Sequence, residues 1–214
     1  MTRKVKNGMI LAVIGDVRSN FLAFEAVLDA VEAEGIHIIV QTGNLALGGD
    51  GGNSVIELLQ ERSVIPIQGT EDRQTVMYRK KAASFRKRLP ESLCDAMAAA
   101  QEYLSSRNLE YLGELQRVKK LEMDGLSIVC THGAPSTPSV ILDGDTELSR
   151  FEREREVASP DLVICGGADT FFARQAGDTL FAGPGRLVNA AGEAGYMLVS
   201  TEERPWSAKW VVVA

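Results

Sequence analysis

The sequence predicts an α/β fold with two β-sheets, and three observations carry that prediction. Short apolar runs alternate with helical patterns over the first third of the chain, as they do in β-α-β units with parallel strands. The middle of the chain is rich in strong helix formers. From Thr179 onward, short apolar runs are separated by Gly and Pro, which is typical of a second sheet.

The first third is predicted to contain strands over 9–15, 36–40 and 64–67, with helices over 20–34 and 54–61 between them. A polar cluster follows each of these strands. The carboxyl ends of parallel strands meet at one edge of a sheet, so we expect the clusters to lie close together. They are Gly15-Asp16-Val17-Arg18, Thr42-Gly43-Asn44 and Gln68-Gly69-Thr70-Glu71-Asp72.

The rest of the chain divides into a helical segment and a strand-rich part. Residues 74–112 predict helices, with a break at Pro90, where proline can begin a new helix. A hairpin is expected over 118–130, because the turn signal Asp124-Gly125 separates two strand-like runs. A charged helix over 146–157 and an apolar strand over 162–165 follow.

Composition limits the function classes. With 214 residues, 45% of them hydrophobic and 24% charged, the chain is expected to form a single domain, residues 1–214. No apolar stretch approaches the roughly 18 residues needed to cross a membrane. The net charge of −6 makes nucleic acid an improbable partner. Three cysteines without a C-x-x-C spacing indicate free thiols and a cytoplasmic protein.

The polar clusters, taken in order, resemble the motifs of a known family. Calcineurin-like metallophosphoesterases carry D-x-H, G-D, G-N-H-D, H-G and G-H-T-H at strand ends. The resemblance extends to residues 104–112 and to the hairpin before His132, which are similar to the small bacterial predicted-phosphodiesterase branch. It implies a hydrolase fold of four layers, in which two facing mixed β-sheets are flanked by helices. The corresponding residues here are Asp16-Val17-Arg18, Gly43-Asn44, Gly69-Thr70-Glu71-Asp72, His132-Gly133 and Gly166-Gly167-Ala168-Asp169.

The resemblance also implies a centre with two metal ions that share a carboxylate and activate a hydroxide. Asp16 and His132 are the ligand positions that keep the family's residue. Arg18 replaces the histidine of D-x-H, and Asn44 replaces the aspartate that would bridge the metals. Thr70 replaces the asparagine of G-N-H-D, and Glu71 replaces the catalytic histidine beside it. Gly167 and Asp169 replace the two histidines of G-H-T-H. A dinuclear site is therefore not expected.

Loss of the metals would leave a cluster of carboxylates that needs another cation. The guanidinium of Arg18 is a candidate, because it offers forked hydrogen bonds to Asp16 and Asp169. This interpretation predicts a protein without a cofactor and with impaired or absent catalysis. Its residual site is expected to comprise Asp16, Arg18, Glu71, Asp72 and His132.

A surviving hydrolase is the alternative hypothesis. One divalent metal ion, Mg²⁺, Ca²⁺ or Mn²⁺, would then bind to Asp16, Asn44, His132 and Asp169. Glu71 would replace the missing general acid, with its pKa raised by burial or by Asp72.

Two further expectations concern partners. Arg18 lies before a predicted helix start, so together with His132 it could hold a phosphate-containing small molecule such as a nucleotide; simple capping by Ser19 and Asn20 is the competing interpretation. Trp206 and Trp210 are expected to pack in the core or at a subunit interface, which leaves a homo-oligomer open.

Overall fold

The structure is a computed structural model that describes residues 8–213. The ends of the predicted domain, residues 1–7 and 214, lie outside the described residues. Ten strands are present in the described part of the chain: β1 (Ile10–Ile14), β2 (Ile39–Gln41), β3 (Ile65–Pro66), β4 (Val118–Met123), β5 (Leu126–Thr131), β6 (Leu162–Cys165), β7 (Phe172–Ala176), β8 (Thr179–Gly183), β9 (Gly195–Ser200) and β10 (Ser207–Val212). The six helices are α1 (Phe21–Ala33), α2 (Gly52–Glu61), α3 (Thr70–Phe85), α4 (Glu91–Tyr103), α5 (Ser106–Glu114) and α6 (Leu148–Ala158).

The first sheet has five strands in the order β10-β9-β1-β2-β3. Strand β1 pairs parallel with β2 through Val13 opposite Val40, and β2 pairs parallel with β3. On its other side β1 pairs antiparallel with β9, so the sheet is mixed. Because β1 and β2 are parallel neighbours, the residues that follow them emerge at the same edge.

The second sheet also has five strands, in the order β4-β5-β6-β8-β7. The hairpin of β4 and β5 is antiparallel and turns at Asp124-Gly125, as the sequence predicts. Strands β5, β6 and β8 run parallel, and β7 pairs antiparallel with β8.

The two sheets face each other across an apolar layer. This layer contains Leu11 and Val13 of the first sheet and Ile128, Ile164 and Ala182 of the second. The outer face of the first sheet packs against α1 to α5, and the outer face of the second packs against α6 through Phe151. The predicted fold class, two facing mixed β-sheets flanked by helices, is confirmed.

Two element predictions need correction. The helical segment begins at Thr70 and not at residue 74, because Asp72 caps the first turn of α3 and draws Thr70 and Glu71 into the helix. The tail does not form the second sheet alone: β8 joins it, whereas β9 and β10 join the first sheet beside β1. Strand β7 was not anticipated, because exposed residues occupy its middle and mask the alternation.

The other expectations about the chain can be stated briefly. Cys94, Cys130 and Cys165 are all buried and free, as predicted. No helix within residues 8–213 combines the length and the apolar character that a membrane span requires.

Candidate functional site

Strand ends of both sheets bring the predicted site residues together. Asp16 follows β1, Asn44 lies in the turn after β2, and Glu71 and Asp72 occupy the first turn of α3. His132 directly follows β5 of the second sheet. Hydrogen bonds of Asn44 to Asp16, Glu71 and Asp72 confirm the expectation that the polar clusters after β1, β2 and β3 share one edge.

Asp72 fixes the geometry of this edge. Its Oδ1 accepts a hydrogen bond from the Leu45 amide at 2.8 Å, and its Oδ2 accepts from the amides of Asn44 at 2.8 Å and Gly69 at 2.9 Å. Burial raises the pKa of the Asp72 carboxyl, and these N–H donors oppose that rise. Because both oxygens are used by the backbone, Asp72 acts as a clamp between α3 and the turn after β2.

Asn44 connects two of the carboxylate residues. Its Oδ1 accepts from the backbone N–H of Glu71 at 3.0 Å, and its Nδ2 donates to Oδ2 of Asp16 at 2.8 Å. A backbone N–H can only donate, so the amide oxygen must face Glu71 and the amide nitrogen must face Asp16. This hydrogen bond engages Oδ2 of Asp16, one of the two oxygens of Asp16 that could otherwise ligate a cation.

Arg18 supplies the cation of the site. Its Nη2 donates to Oε1 of Glu71 at 2.7 Å and lies 3.5 Å from Oδ2 of Asp16. The backbone at Arg18 is left-handed, with φ of 48°, and the amide of Arg18 is held by the carbonyl of Asn44 at 2.9 Å. A non-glycine residue in this region is uncommon, and such conformations concentrate at functional sites.

Burial dominates the electrostatics of the two carboxyl groups that Arg18 contacts. It raises the pKa of Asp16 and of Glu71, while the positive charge of Arg18 lowers both. Oδ1 of Asp16 and Oε2 of Glu71 are buried without a hydrogen-bond partner among the described residues, as are Nε of Arg18 and Oγ of Ser19. Each of these atoms lacks the hydrogen bond that a buried polar group normally makes.

His132 lies beside this network and is almost fully buried. Its Nδ1 lies 2.7 Å from the carbonyl oxygen of Thr42. A carbonyl can only accept, so Nδ1 carries the proton and Nε2 carries the lone pair in the neutral ring. The Nε2 atom faces Gly167, where an added Cβ would lie 3.1 Å away.

Asp169 takes a different position from the one the sequence suggested. It is exposed and pairs with Arg186, whose Nη2 lies 2.6 Å from Oδ1 of Asp169. Arg18 therefore bridges Asp16 and Glu71, and Asp169 is not its partner. Arg186 was missed at the sequence level: it pairs with Asp16 in an isolated backbone bridge, and its charge lowers the pKa of Asp16.

The start of α1 is largely satisfied by the chain itself. The amide of Ser19 donates to the carbonyl of Leu45, and the side chain of Asn20 accepts from the amide of Ala23. This is the capping arrangement, in which few N–H groups remain for an anion.

The donor set does not fit a dinuclear centre. Two close cations need a shared carboxylate, and Asn44 in that position presents its amide nitrogen to Asp16. A third cation, the guanidinium of Arg18, already lies against Asp16 and Glu71. Within residues 8–213 no group of three or more His, Cys, Asp and Glu side chains is arranged to hold a metal ion.

Comparison with known proteins identifies the family. The sequence matches the calcineurin-like phosphoesterase superfamily domain over residues 9–204, and the chain belongs to this superfamily. It is 23% identical over 136 residues to an uncharacterized protein of Methanocaldococcus jannaschii, a match that covers 61% of this chain and 52% of that protein. The chain therefore spans about half the length of the curated relative that it matches.

Solved structures agree with this assignment. A hypothetical protein from Pyrococcus horikoshii superposes with a TM-score of 0.81 at 20% identity, covering 96% of this chain and 88% of that one. A metallophosphoesterase from Sphaerobacter thermophilus superposes with a TM-score of 0.71 at 18% identity, covering 97% of this chain and 89% of that one. Similarity at these identities establishes the shared fold.

Proposed function

We propose that this protein is a pseudoenzyme of the metallophosphoesterase fold, in which Arg18 takes the place of the metal ions and the site binds rather than hydrolyses. Its ligand is a phosphate-containing small molecule or a protein partner. The setting is the cytoplasm, in keeping with three free thiols.

The observation that carries the proposal is the position of the Arg18 guanidinium. Its Nη2 atom lies 2.7 Å from Oε1 of Glu71 and 3.5 Å from Oδ2 of Asp16, where it compensates one half-buried and one buried carboxylate. A metal ion beside Asp16 would meet this permanent positive charge at short range. A carboxylate that is buried without a compensating cation is costly, so the guanidinium of Arg18 can supply the positive charge that a metal ion would otherwise supply to Asp16.

Gly167 gives independent support. It stands where the family has a metal-binding histidine, and its backbone is left-handed, with φ of +76°. A Cβ at this position would lie 2.4 Å from Cδ1 of Ile141 and 3.0 Å from the carbonyl oxygen of His132. A histidine here would therefore require both a strained backbone and movement of its neighbours. The local structure at position 167 therefore favours glycine over a metal-binding histidine.

Hydrolysis of bis(p-nitrophenyl) phosphate in the presence of Mn²⁺ tests the proposal. We expect the protein to give no more turnover than an Asp16→Ala variant prepared in the same way. A contaminating phosphodiesterase would act equally in both preparations, so the comparison isolates the site. Turnover by the natural sequence that Asp16→Ala abolishes would overturn the proposal.

A second candidate function rests on the two carboxylate oxygens that lack partners. Oδ1 of Asp16 and Oε2 of Glu71 are buried acceptors, and a single hard cation such as Mg²⁺ could satisfy them together with waters. A glutamate that ligates the cation is ionised, so Glu71 would act there as a ligand and not as the general acid. This candidate predicts both metal uptake and turnover lost in Asp16→Ala, which the first candidate does not.

A further inference from the structure

We propose that a pocket beside the candidate site binds a di- or triphosphate group, held by Arg73, Lys81 and Arg117. The pocket has a volume of about 270 Å³ and lies between α3, the segment before β4 and the loop at Ser139. The inference deepens the proposed function and rests on it for the class of ligand, a phosphate-containing small molecule.

Helix α3 forms one wall of the pocket. Arg73, Met77, Lys81 and Phe85 follow one another at intervals of four in α3, so they form a single stripe along the helix. All four line the pocket. The wall therefore carries two cations, with an apolar residue following each of them.

Arg117 supplies the third cation from a different element. The residue before it, Gln116, accepts a hydrogen bond at its carbonyl from the amide of Gln68 at 2.9 Å. That bond ties the segment before β4 to the chain just ahead of α3. Burial lowers the pKa of the Arg117 guanidinium, and the charge of Arg73 lowers it further. The two cations therefore repel each other across the pocket.

The positive charge of this pocket is not balanced by the protein. Among the described residues, none of Arg73, Lys81 and Arg117 takes part in an ion pair, and no acidic side chain lines the pocket. This is unexpected in a chain whose net charge is −6. An anion in the pocket would relieve the repulsion and gain charge-assisted hydrogen bonds.

The positive charge of the pocket and the residues that line it indicate which ligand would bind there. Three cations match a di- or triphosphate, which carries about three to four negative charges near neutral pH, better than a single carboxylate. The hydroxyl groups of Thr70 and Ser139 offer further hydrogen bonds. The half-buried Met77 provides an apolar surface that an attached organic group, such as a nucleobase, could cover, whereas Phe85 is buried and adds little exposed area.

The pocket adjoins the Arg18 network through shared segments. Thr70 directly precedes Glu71, and Ser139 lies in the loop that follows His132. A ligand there would contact the elements that hold the site while leaving the Arg18 ion pair in place.

Calorimetric titration of the full chain in EDTA tests the inference, with pyrophosphate, inorganic triphosphate and ADP as probes at one ionic strength. We expect saturable binding that Arg117→Ala and Lys81→Ala each weaken about tenfold or more, because each removes a charged hydrogen-bond donor. The exposed Lys80 lies on α3 outside the pocket, so Lys80→Ala is expected to change affinity less than about twofold.

The probes also distinguish the source of the phosphate groups. Tighter binding of ADP than of pyrophosphate would indicate a nucleotide, and equal binding would indicate recognition of the phosphates alone. Because Arg117 is half-buried, circular dichroism checks its variant, and the exposed Lys81 provides a variant that leaves the packing unchanged. Absence of binding by all three probes would overturn the inference, as would equal losses in Lys80→Ala and Lys81→Ala.

The two proposals fail separately. Hydrolysis that Asp16→Ala abolishes would overturn the pseudoenzyme proposal. Triphosphate binding that Arg117→Ala weakens would still support the phosphate pocket. Absence of triphosphate binding would remove the pocket but leave the Arg18 network untouched.

Discussion

At the scale of single residues, Arg18 connects the carboxylates of Asp16 and Glu71. Two consecutive residues, Arg18 and Ser19, have left-handed backbones with φ of 48° and 62°. Their amides are held by the carbonyls of Asn44 and Leu45, which compensates for the strain. With this backbone conformation the guanidinium reaches Asp16 and Glu71. The ion pairs offset the cost of the strained backbone.

Removing Arg18 should destabilise the protein in a pH-dependent way. Burial already raises the pKa values of Asp16 and Glu71 above 3.8 and 4.5, so ionising them costs folding free energy as pH rises. Arg18→Ala raises both pKa values further and enlarges that cost. Since the Arg18 side chain is 38% exposed and therefore screened, we expect a loss of about 1–2 kcal/mol at pH 7 that shrinks towards pH 4.

Urea unfolding at pH 4 and pH 7 measures this effect. Arg86→Ala is the matched control, because Arg86 pairs with Asp95 in a solvent-exposed ion pair. We expect the control to show little change at either pH. An equal loss at both pH values in Arg18→Ala would contradict the charge-compensation role.

The residues of the site were only partly predictable from the sequence. The order of the motifs placed Asp16, Asn44, Glu71 and His132 at strand ends, and the structure brings them together. The choice of partner for Arg18 could not be predicted, because Asp169 and Arg186 pair through a contact between distant segments. No local pattern marks Arg186 as a neighbour of Asp16.

At the scale of elements, the start of α3 organises the site. Gly69 has an extended backbone and precedes the helix, and Asp72 accepts its amide hydrogen in a capping arrangement. The same carboxylate accepts from the turn after β2. The sequence placed residues 68–72 in a polar cluster after a strand and not in the helix, because a single aspartate gives no sign of whether it caps a helix or faces a ligand.

Asp72→Asn should therefore unfold more easily than the natural protein. An amide has one acceptor oxygen, so its NH₂ group would face at least one backbone N–H donor in a buried position. We expect a loss of about 2–4 kcal/mol in the free energy of unfolding, measured by urea titration.

Asp95→Asn on the exposed face of α4 provides the control for this variant. It replaces the same carboxylate by the same amide without a buried partner. If Asp72→Asn and Asp95→Asn were equally stable, the clamp assigned to Asp72 would be wrong.

At the scale of the whole molecule, two sheets and their helical layers create the edge on which the site lies. Most elements of the first third and the hairpin follow from local periodicity, and the structure confirms them. Which sheet a strand joins is decided by pairing over long distances. Strand β9 pairs with β1 through Leu198 opposite Ala12, although most of the chain lies between them, and no local pattern carries that information.

The expected homo-oligomer stays a prediction. The two tryptophans that suggested it differ in their burial. Trp206 is buried in the layer between the sheets, where it was expected. Trp210 on β10 is half-buried and packs against Gly195.

We propose that Arg18 takes the place of the metal ions that the resemblance to the family implies. The most direct measurement is the metal content of each chain, by elemental analysis after dialysis against excess Mn²⁺ and then against metal-free buffer. We expect far less than one ion per chain, and the same value for Asp16→Ala. One or two ions per chain that Asp16→Ala removes would contradict this proposal and favour a surviving hydrolase.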